Sequence, residues 1–146
     1  MKKVYLAGPF FDDEQIERIE RVEKALDNNA TVSEYFSPRK HQHDDLKFGS
    51  PEWQDVVYKG DVQHVEDADV IVAIADFIDD SVDSGTAFEI GYAAAKNKKI
   101  VLLHEKDSIV NLMLAQSLTT YIDDFSELKN LNLDNLPNKK YTGEIV

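Results

Sequence analysis

The run Val70-Ile71-Val72-Ala73-Ile74-Ala75, set between Asp69 and Asp76, constrains the fold more than any other segment. A strand with one wet face alternates apolar and polar residues. This run has no polar position, so both of its faces must be covered, as in the interior of a parallel sheet. Parallel strands need long crossover connections, and the pattern on either side supplies them. Lys3 to Ala7 is a short apolar strand ended by Gly8-Pro9. Residues 13–27 place Ile16, Ile19, Val22 and Leu26 at helical spacing. Thr31 to Phe36 reads as a strand closed by Ser37-Pro38, and the polar stretch from Arg39 to Ser50 reads as a loop. Ser50-Pro51-Glu52 is a helix start, with a cap, a proline and an acid, and the helix runs to about Glu66. Gly85 to Asn97 is a further helix, Lys99 to His104 a strand, residues 108–118 a short helix, Thr120 to Ile122 a last strand and Phe125 to Asn130 a helical turn. The tail after Leu131 is loosely polar. This alternation predicts an α/β chain with one domain over residues 1–146. The expected form is a flavodoxin-like or Rossmann-like sandwich whose central, mostly parallel five-stranded sheet is flanked by helices. Ligands of such folds sit beyond the carboxyl ends of the strands. That rule marks Gly8-Pro9-Phe10, the loop from Asp76 and the loop after His104.

Charge and composition narrow the function. The chain has 28 acidic and 16 basic residues, a formal net charge of −12. Such a surface repels phosphate backbones and argues against nucleic acid as a partner, while a neutral small molecule is easily accommodated. There is no cysteine, which excludes disulfides, thiolate chemistry and zinc–thiolate sites and fits a cytoplasmic protein. The N-terminus imitates the start of a signal peptide, but Gly8, Pro9, Asp12, Asp13 and Glu14 break it at once. We read it as a first buried strand of a protein without a membrane segment.

The segment from Asp83 to Ala93 carries the strongest chemical signal. It leaves a loop beyond the central strand and enters a helix, with Glu89 in its first turn or two among Ala87, Phe88, Ile90, Gly91 and Ala93. A carboxylate in such company is either costly or useful. The positive end of the helix is expected to help keep it ionised and ready to attack. By pattern alone an exposed helix acid is an equal reading. Gly85 leaves room for a ligand and Gly91 for close helix–sheet packing. Asp83, six residues before Glu89, is either a cap or a second carboxylate over the same pocket. Two carboxylates suit glycosidic chemistry, in which one attacks the anomeric carbon and an acid assists the leaving group. Asp61 lies mid-helix, where it is expected to face the sheet edge. Tyr5 is a core tyrosine whose hydroxyl could reach the pocket, and the turn through Gly8 and Phe10 offers aromatic surface for stacking. His41 and His43 with Asp44 and Asp45 have no spacing specific to a metal site.

Together, Tyr5-Leu6-Ala7-Gly8-Pro9-Phe10-Phe11, Asp69-Val70-Ile71-Val72-Ala73, Asp83 with Gly85, Phe88-Glu89-Ile90-Gly91-Tyr92-Ala93, and Asn111-Leu112-Met113 resemble the nucleoside 2-deoxyribosyltransferases, over Lys3 to about Ile122. The resemblance implies transfer of 2-deoxyribose between purine or pyrimidine bases by double displacement, with Glu89 as nucleophile and a covalent deoxyribosyl ester. Asp83 and Asp61 match paired aspartates that hold the base and serve its protonation. Tyr5 matches a tyrosine that orients the nucleophile, and Gln42 a glutamine at the base site. Asn111, with Met113 beside it, matches an asparagine that reaches the sugar 5′-hydroxyl of a neighbouring subunit. The resemblance therefore implies a homo-oligomer, substrates that are a 2′-deoxynucleoside and a free nucleobase, and neither metal nor organic cofactor. One departure stands out: well-known members end at a tyrosine whose terminal carboxylate joins the site, whereas here the last residues are Tyr141-Thr142-Gly143-Glu144-Ile145-Val146.

Two other readings compete. A hydrolase of the same superfamily acting on deoxynucleoside 5′-monophosphates would show serines or cations at the sugar 5′ end, where this chain has Asn111, with Lys106 the nearest cation. A phospho-accepting receiver domain would need an acidic pair and an aspartate at strand ends with a lysine nearby. Asp12, Asp13, Asp76 and Lys106 imitate that layout, but Gly8-Pro9-Phe10-Phe11 displaces the pair from the strand end.

Overall fold

The computed structural model describes residues 1–146. Five strands form one all-parallel sheet in the order β2-β1-β3-β4-β5: β1 Lys2–Ala7, β2 Val32–Phe36, β3 Val70–Ile74, β4 Lys99–Leu103 and β5 Thr120–Ile122. Four helices connect them: α1 Asp13–Asp27, α2 Pro51–Asp67, α3 Ser84–Ala95 and α4 Leu112–Ser117. The order reverses beside β1, so the crevice at the carboxyl ends of β1 and β3 is the switch point where such sheets bind ligands.

Every residue of β3 is buried, as its unbroken apolar run requires. Its side chains alternate between two cores. Ile71 and Ala73 join Tyr5, Ala7, Ile100 and Leu102 under α2, α3 and α4, where Val65, Ile90, Ala93 and Leu114 close the layer. Val70, Val72 and Ile74 join Val4, Leu6, Val101 and Leu103 under α1, through Ile19, Val22 and Leu26, and under the 3-10 turn Phe125–Asn130. The strand phase of β1 therefore sends Tyr5 to the α2–α3 side. Gly8 is needed at the end of β1 because a Cβ there would lie 2.9 Å from Ile19 Cδ1 and 3.2 Å from Ile74 Cδ1.

Local chemistry starts α1 and α2 where the sequence predicts, whereas α4 begins at Leu112 rather than at residue 108, and the stretch expected as a loop from Arg39 opens within a 3-10 turn, Pro38–His41. Asp12 caps α1 by accepting from Gln15 N, and Ser50 caps α2 by accepting from Trp53 N, with Pro51 in the first turn. The residues from Leu131 onward are more ordered than their polarity suggests. Leu133–Asn135 forms a 3-10 turn, Lys139 bridges to Thr120, and Ile145 bridges to Val110. The apolar residues that anchor them, Leu131, Leu133 and Leu136, fall at intervals of two and then three, which keep neither a strand nor a helix period. No helix is long and apolar enough to cross a membrane.

Candidate active site

Glu89 is the sixth residue of α3 and Tyr5 stands on β1. The Tyr5 hydroxyl donates to Glu89 Oε2, joining two elements 84 residues apart. Tyr5 is fully buried. Burial first, then the charges of Glu89 and Asp61, pushes its phenol well above the ordinary range, so it stays protonated and remains a donor.

Glu89 lines a cavity of about 360 Å³ between α2 and α3, together with Asp61, Gly85, Trp53, Tyr58 and Phe88. Its carboxyl is pushed up to about 8. Burial is the main cause, the nearby charges of Asp61 and Asp83 add to it, and the Tyr5 hydrogen bond opposes it. The expectation that the helix start holds Glu89 ionised is therefore corrected. The carboxylate sits in the second turn, beyond the free N–H groups that carry the positive end, and desolvation dominates. Asp61 does not sit at a sheet edge but lines the same cavity. Its carboxyl is raised to about 6 by burial, and the charges of His64 and His43 pull it partly back.

Asp83 is the N-cap of α3. Its Oδ2 accepts from Thr86 N at 2.9 Å and from Thr86 Oγ1 at 2.9 Å, which leaves Oδ1 for other partners. Asp83 does not line the cavity itself, and its charge acts on Glu89 from the start of the helix. Gly85 stands on the cavity wall, where a Cβ would come within 3.3 Å of Asp83 Oδ2. Gly91 does not serve helix–sheet packing: a Cβ there would meet nothing within 4 Å, because the residue faces an open groove.

The other sequence-derived candidates lie apart from this cavity. Asn111 caps α4 by accepting from Met113 N at 2.8 Å. With Met113, Gly91 and Val146 it lines a second groove on the far flank of α3. Gln42 donates Nε2 to Arg39 O and is exposed. Phe10 packs into the α1-side core and stacks on Phe11, with ring centroids 6.4 Å apart. His41 and His64 both stack on Phe36, which in turn stacks on Tyr5. No group of three or more His, Asp or Glu side chains is placed to hold a metal ion. Of the residues that imitate a receiver layout, Asp12 is used as the α1 cap and buried Asp76 accepts the backbone N–H groups of Glu105 and Lys106. Lys106 is tied to Phe77 O and to Glu14.

Sequence reasoning missed the aromatic wall. Neither Trp53 nor Tyr58 stands out in the sequence as a site residue. The available signal was that Trp53, Val57 and Asp61 recur at intervals of four on α2, with Tyr58 three residues before Asp61, which puts them on one flank of the helix.

A profile of the nucleoside 2-deoxyribosyltransferase family matches residues 4–132. A nucleoside deoxyribosyltransferase of Limosilactobacillus fermentum is 40% identical over 90% of this chain and 86% of its own length. A second, from Lactobacillus leichmannii, is 23% identical over 91% of this chain and 90% of its own. Among solved structures, a 2-deoxyribosyltransferase from Bacillus psychrosaccharolyticus superposes with a TM-score of 0.85 at 37% identity, covering 95% of this chain and 98% of that one.

Proposed function

This chain belongs to the nucleoside 2-deoxyribosyltransferase family, and from that premise we propose that Glu89 is the nucleophile of a double displacement on 2′-deoxynucleosides. The enzyme is a pentosyltransferase that moves 2-deoxyribose between nucleobases. The observation that carries the assignment to Glu89 is its hydrogen bond from Tyr5 inside a cavity walled by Trp53, Tyr58 and Phe88.

In the first half-reaction a Glu89 carboxylate oxygen bonds to C1′ while the N-glycosidic bond breaks. The bonding pair leaves with the base, and a ring nitrogen of the base takes up a proton. In this reading Asp61, with its carboxyl near 6, supplies that proton, and Oδ1 of Asp83, left free by the cap, holds the base edge. In the second half-reaction the nitrogen of an incoming base attacks C1′, the ester breaks back to the Glu89 carboxylate, and the incoming base loses a proton. Two inversions retain the configuration at C1′. The planar base stacks on the aromatic wall, and Gly85 leaves it space. The residues around the site supply both the nucleophile and the proton, so the reading calls for no cofactor.

Asn111 and Met113 lie on the opposite flank of α3 from Glu89. For Asn111 to meet the sugar 5′-hydroxyl it must therefore come from a second copy of the chain, and we read the active form as a homo-oligomer on this ground. Gly8 and Phe10, at the end of β1, pack on the α1 side and do not line this cavity, and Gln42 would have to leave Arg39 to reach a base. A role in deoxynucleoside salvage in the cytoplasm is consistent with this chemistry and with the absence of cysteine.

The test is incubation with 2′-deoxyinosine, with and without adenine or cytosine. A new nucleoside establishes transfer, whereas free hypoxanthine alone indicates a hydrolase. Intact-mass analysis of a quenched reaction should show one deoxyribosyl adduct on the wild type and none on Glu89→Ala. An adduct that persists in that variant would refute Glu89 as nucleophile.

A further inference from the structure

His104 ends the strand run of β4 and is buried at 3% exposure, although the reaction assigned above gives it no task. Its ring makes two hydrogen bonds. Nδ1 is 2.9 Å from the Tyr121 hydroxyl and Nε2 is 2.7 Å from Ser108 Oγ. Tyr141 closes the cluster edge-on, 5.0 Å from the Tyr121 ring and 6.0 Å from His104. The Tyr141 hydroxyl then donates to Glu144 O at 2.7 Å. Gly143 permits this fold-back, because a Cβ at that position would lie within 2.7 Å of Tyr141 Cε2.

The residues that follow pair with the segment carrying Asn111. Glu144 O accepts from Val110 N, Val146 N donates to Val110 O, and Val146 O accepts from Leu112 N. Upstream, Ser108 is held by His104, and Ile109 N donates to Asp80 Oδ1 at 3.0 Å. Asn111 is thus fixed from both sides, on one by the imidazole and on the other by a backbone ladder whose anchor is Tyr141. A hydrogen-bonded network with its polar groups satisfied is a stiff element.

We propose that the His104–Tyr121–Tyr141 cluster is the positioning device for Asn111, locking the segment that carries the 5′-hydroxyl contact. It rests on the reading that Asn111 meets that hydroxyl. The three residues are positioning residues, since they act through the backbone of Ser108 to Leu112 and touch no reacting atom.

The test compares 2′-deoxyinosine with 2′,5′-dideoxyinosine as donors, each with adenine as acceptor. The readout is the ratio of their kcat/KM values in the wild type, Asn111→Ala, Tyr141→Phe and Ser108→Ala. Loss of the hydrogen bond should lower the ratio about tenfold in Asn111→Ala. Tyr141→Phe and Ser108→Ala should each lower it about threefold while leaving the 5′-deoxy donor unchanged. An unchanged ratio in Asn111→Ala overturns the reading of Asn111 and the proposal with it. A lowered ratio in Asn111→Ala, with both other variants at the wild-type ratio or slowing both donors equally, overturns the positioning role alone. Amide hydrogen exchange gives an independent check. Tyr141→Phe should speed exchange at Val110 and Leu112 while the β4 amides stay protected. Unaltered exchange at those two amides would also overturn the proposal.

Discussion

Tyr5 holds Glu89 by a hydrogen bond that opposes what burial does to the same carboxyl. Burial drives Glu89 up to about 8, and the phenol favours the charged form that the proposed mechanism needs. Because the mechanism needs Glu89 ionised and Asp61 protonated, kcat/KM in the free enzyme should be bell-shaped, with its acid limb near 6 and its alkaline limb near 8. Tyr5→Phe removes the hydrogen bond that lowers that carboxyl. The alkaline limb should move to higher pH by about one unit, with a loss of roughly tenfold at pH 7. A pH–rate profile of both proteins measures this, and an unmoved profile would show that the phenol does not act on Glu89.

Glu89→Gln should lower transfer by about three orders of magnitude or more, since the covalent step is lost. It should also stabilise the fold at alkaline pH. The Glu89 carboxyl binds its proton more tightly when folded, at about 8 against 4.5. The cost of ionising it inside the protein is absent below about 4.5, grows as pH rises, and is complete above about 8. Glutamine removes that cost, on the order of a few kcal/mol. Urea unfolding at pH 9 should show the variant more stable than the wild type, and at pH 5 the gap should be much smaller.

Trp53→Ala should act on binding more than on chemistry. Trp53 lines the cavity beside Glu89 and Asp61 without touching the Tyr5–Glu89 pair in the hydrogen-bond network. Losing a stacking surface for the base should raise KM about tenfold and leave kcat within about threefold. Steady-state kinetics with donor varied at saturating acceptor gives both numbers.

On the α1 side, Arg18 and Arg21 hold Glu105, with Arg18 Nε 2.9 Å and Arg21 Nη2 2.7 Å from Glu105 Oε1. Hydrogen bonds from Arg21, then from Arg18, lower the Glu105 carboxyl to about 2 against the opposing effect of burial. Its contribution is present above about 4.5 and is lost as pH falls towards about 2. Solvent screens Arg21, so the contribution is about 1–2 kcal/mol. Glu105→Gln should lower stability at pH 7 by that amount and flatten the acid side of the stability curve. Thermal unfolding from pH 2.5 to 7 tests both.

The layers of this fold are written in local patterns. The unbroken Val70–Ala75 run requires cover on both faces, and the period of residues 13–27 shows which side of α1 is buried. Such patterns extend over a few residues and survive whatever packs around them. Glu89 was conspicuous for the same reason: its neighbours on α3 are small or apolar, so its acidity stood out in sequence.

The rest depends on neighbours remote in the chain. That Tyr5 meets Glu89 follows from β1 lying beside β3 with the phase that turns Tyr5 under α3. The elevated carboxyls of Glu89 and Asp61 are set by everything packed against them, so the expectation of an ionised helix-start acid failed where desolvation outweighed the helix end. Tyr141 offers the same lesson. In sequence it is an isolated aromatic in a polar tail, and only the sheet brings it against His104 and Tyr121 and turns the tail into a ladder on the Asn111 segment. The sequence by itself determined which faces must be buried, because hydrophobic period is local. Tertiary structure alone decided which polar groups share a buried space, because hydrogen bonds and desolvation act between residues that only the folded chain brings together.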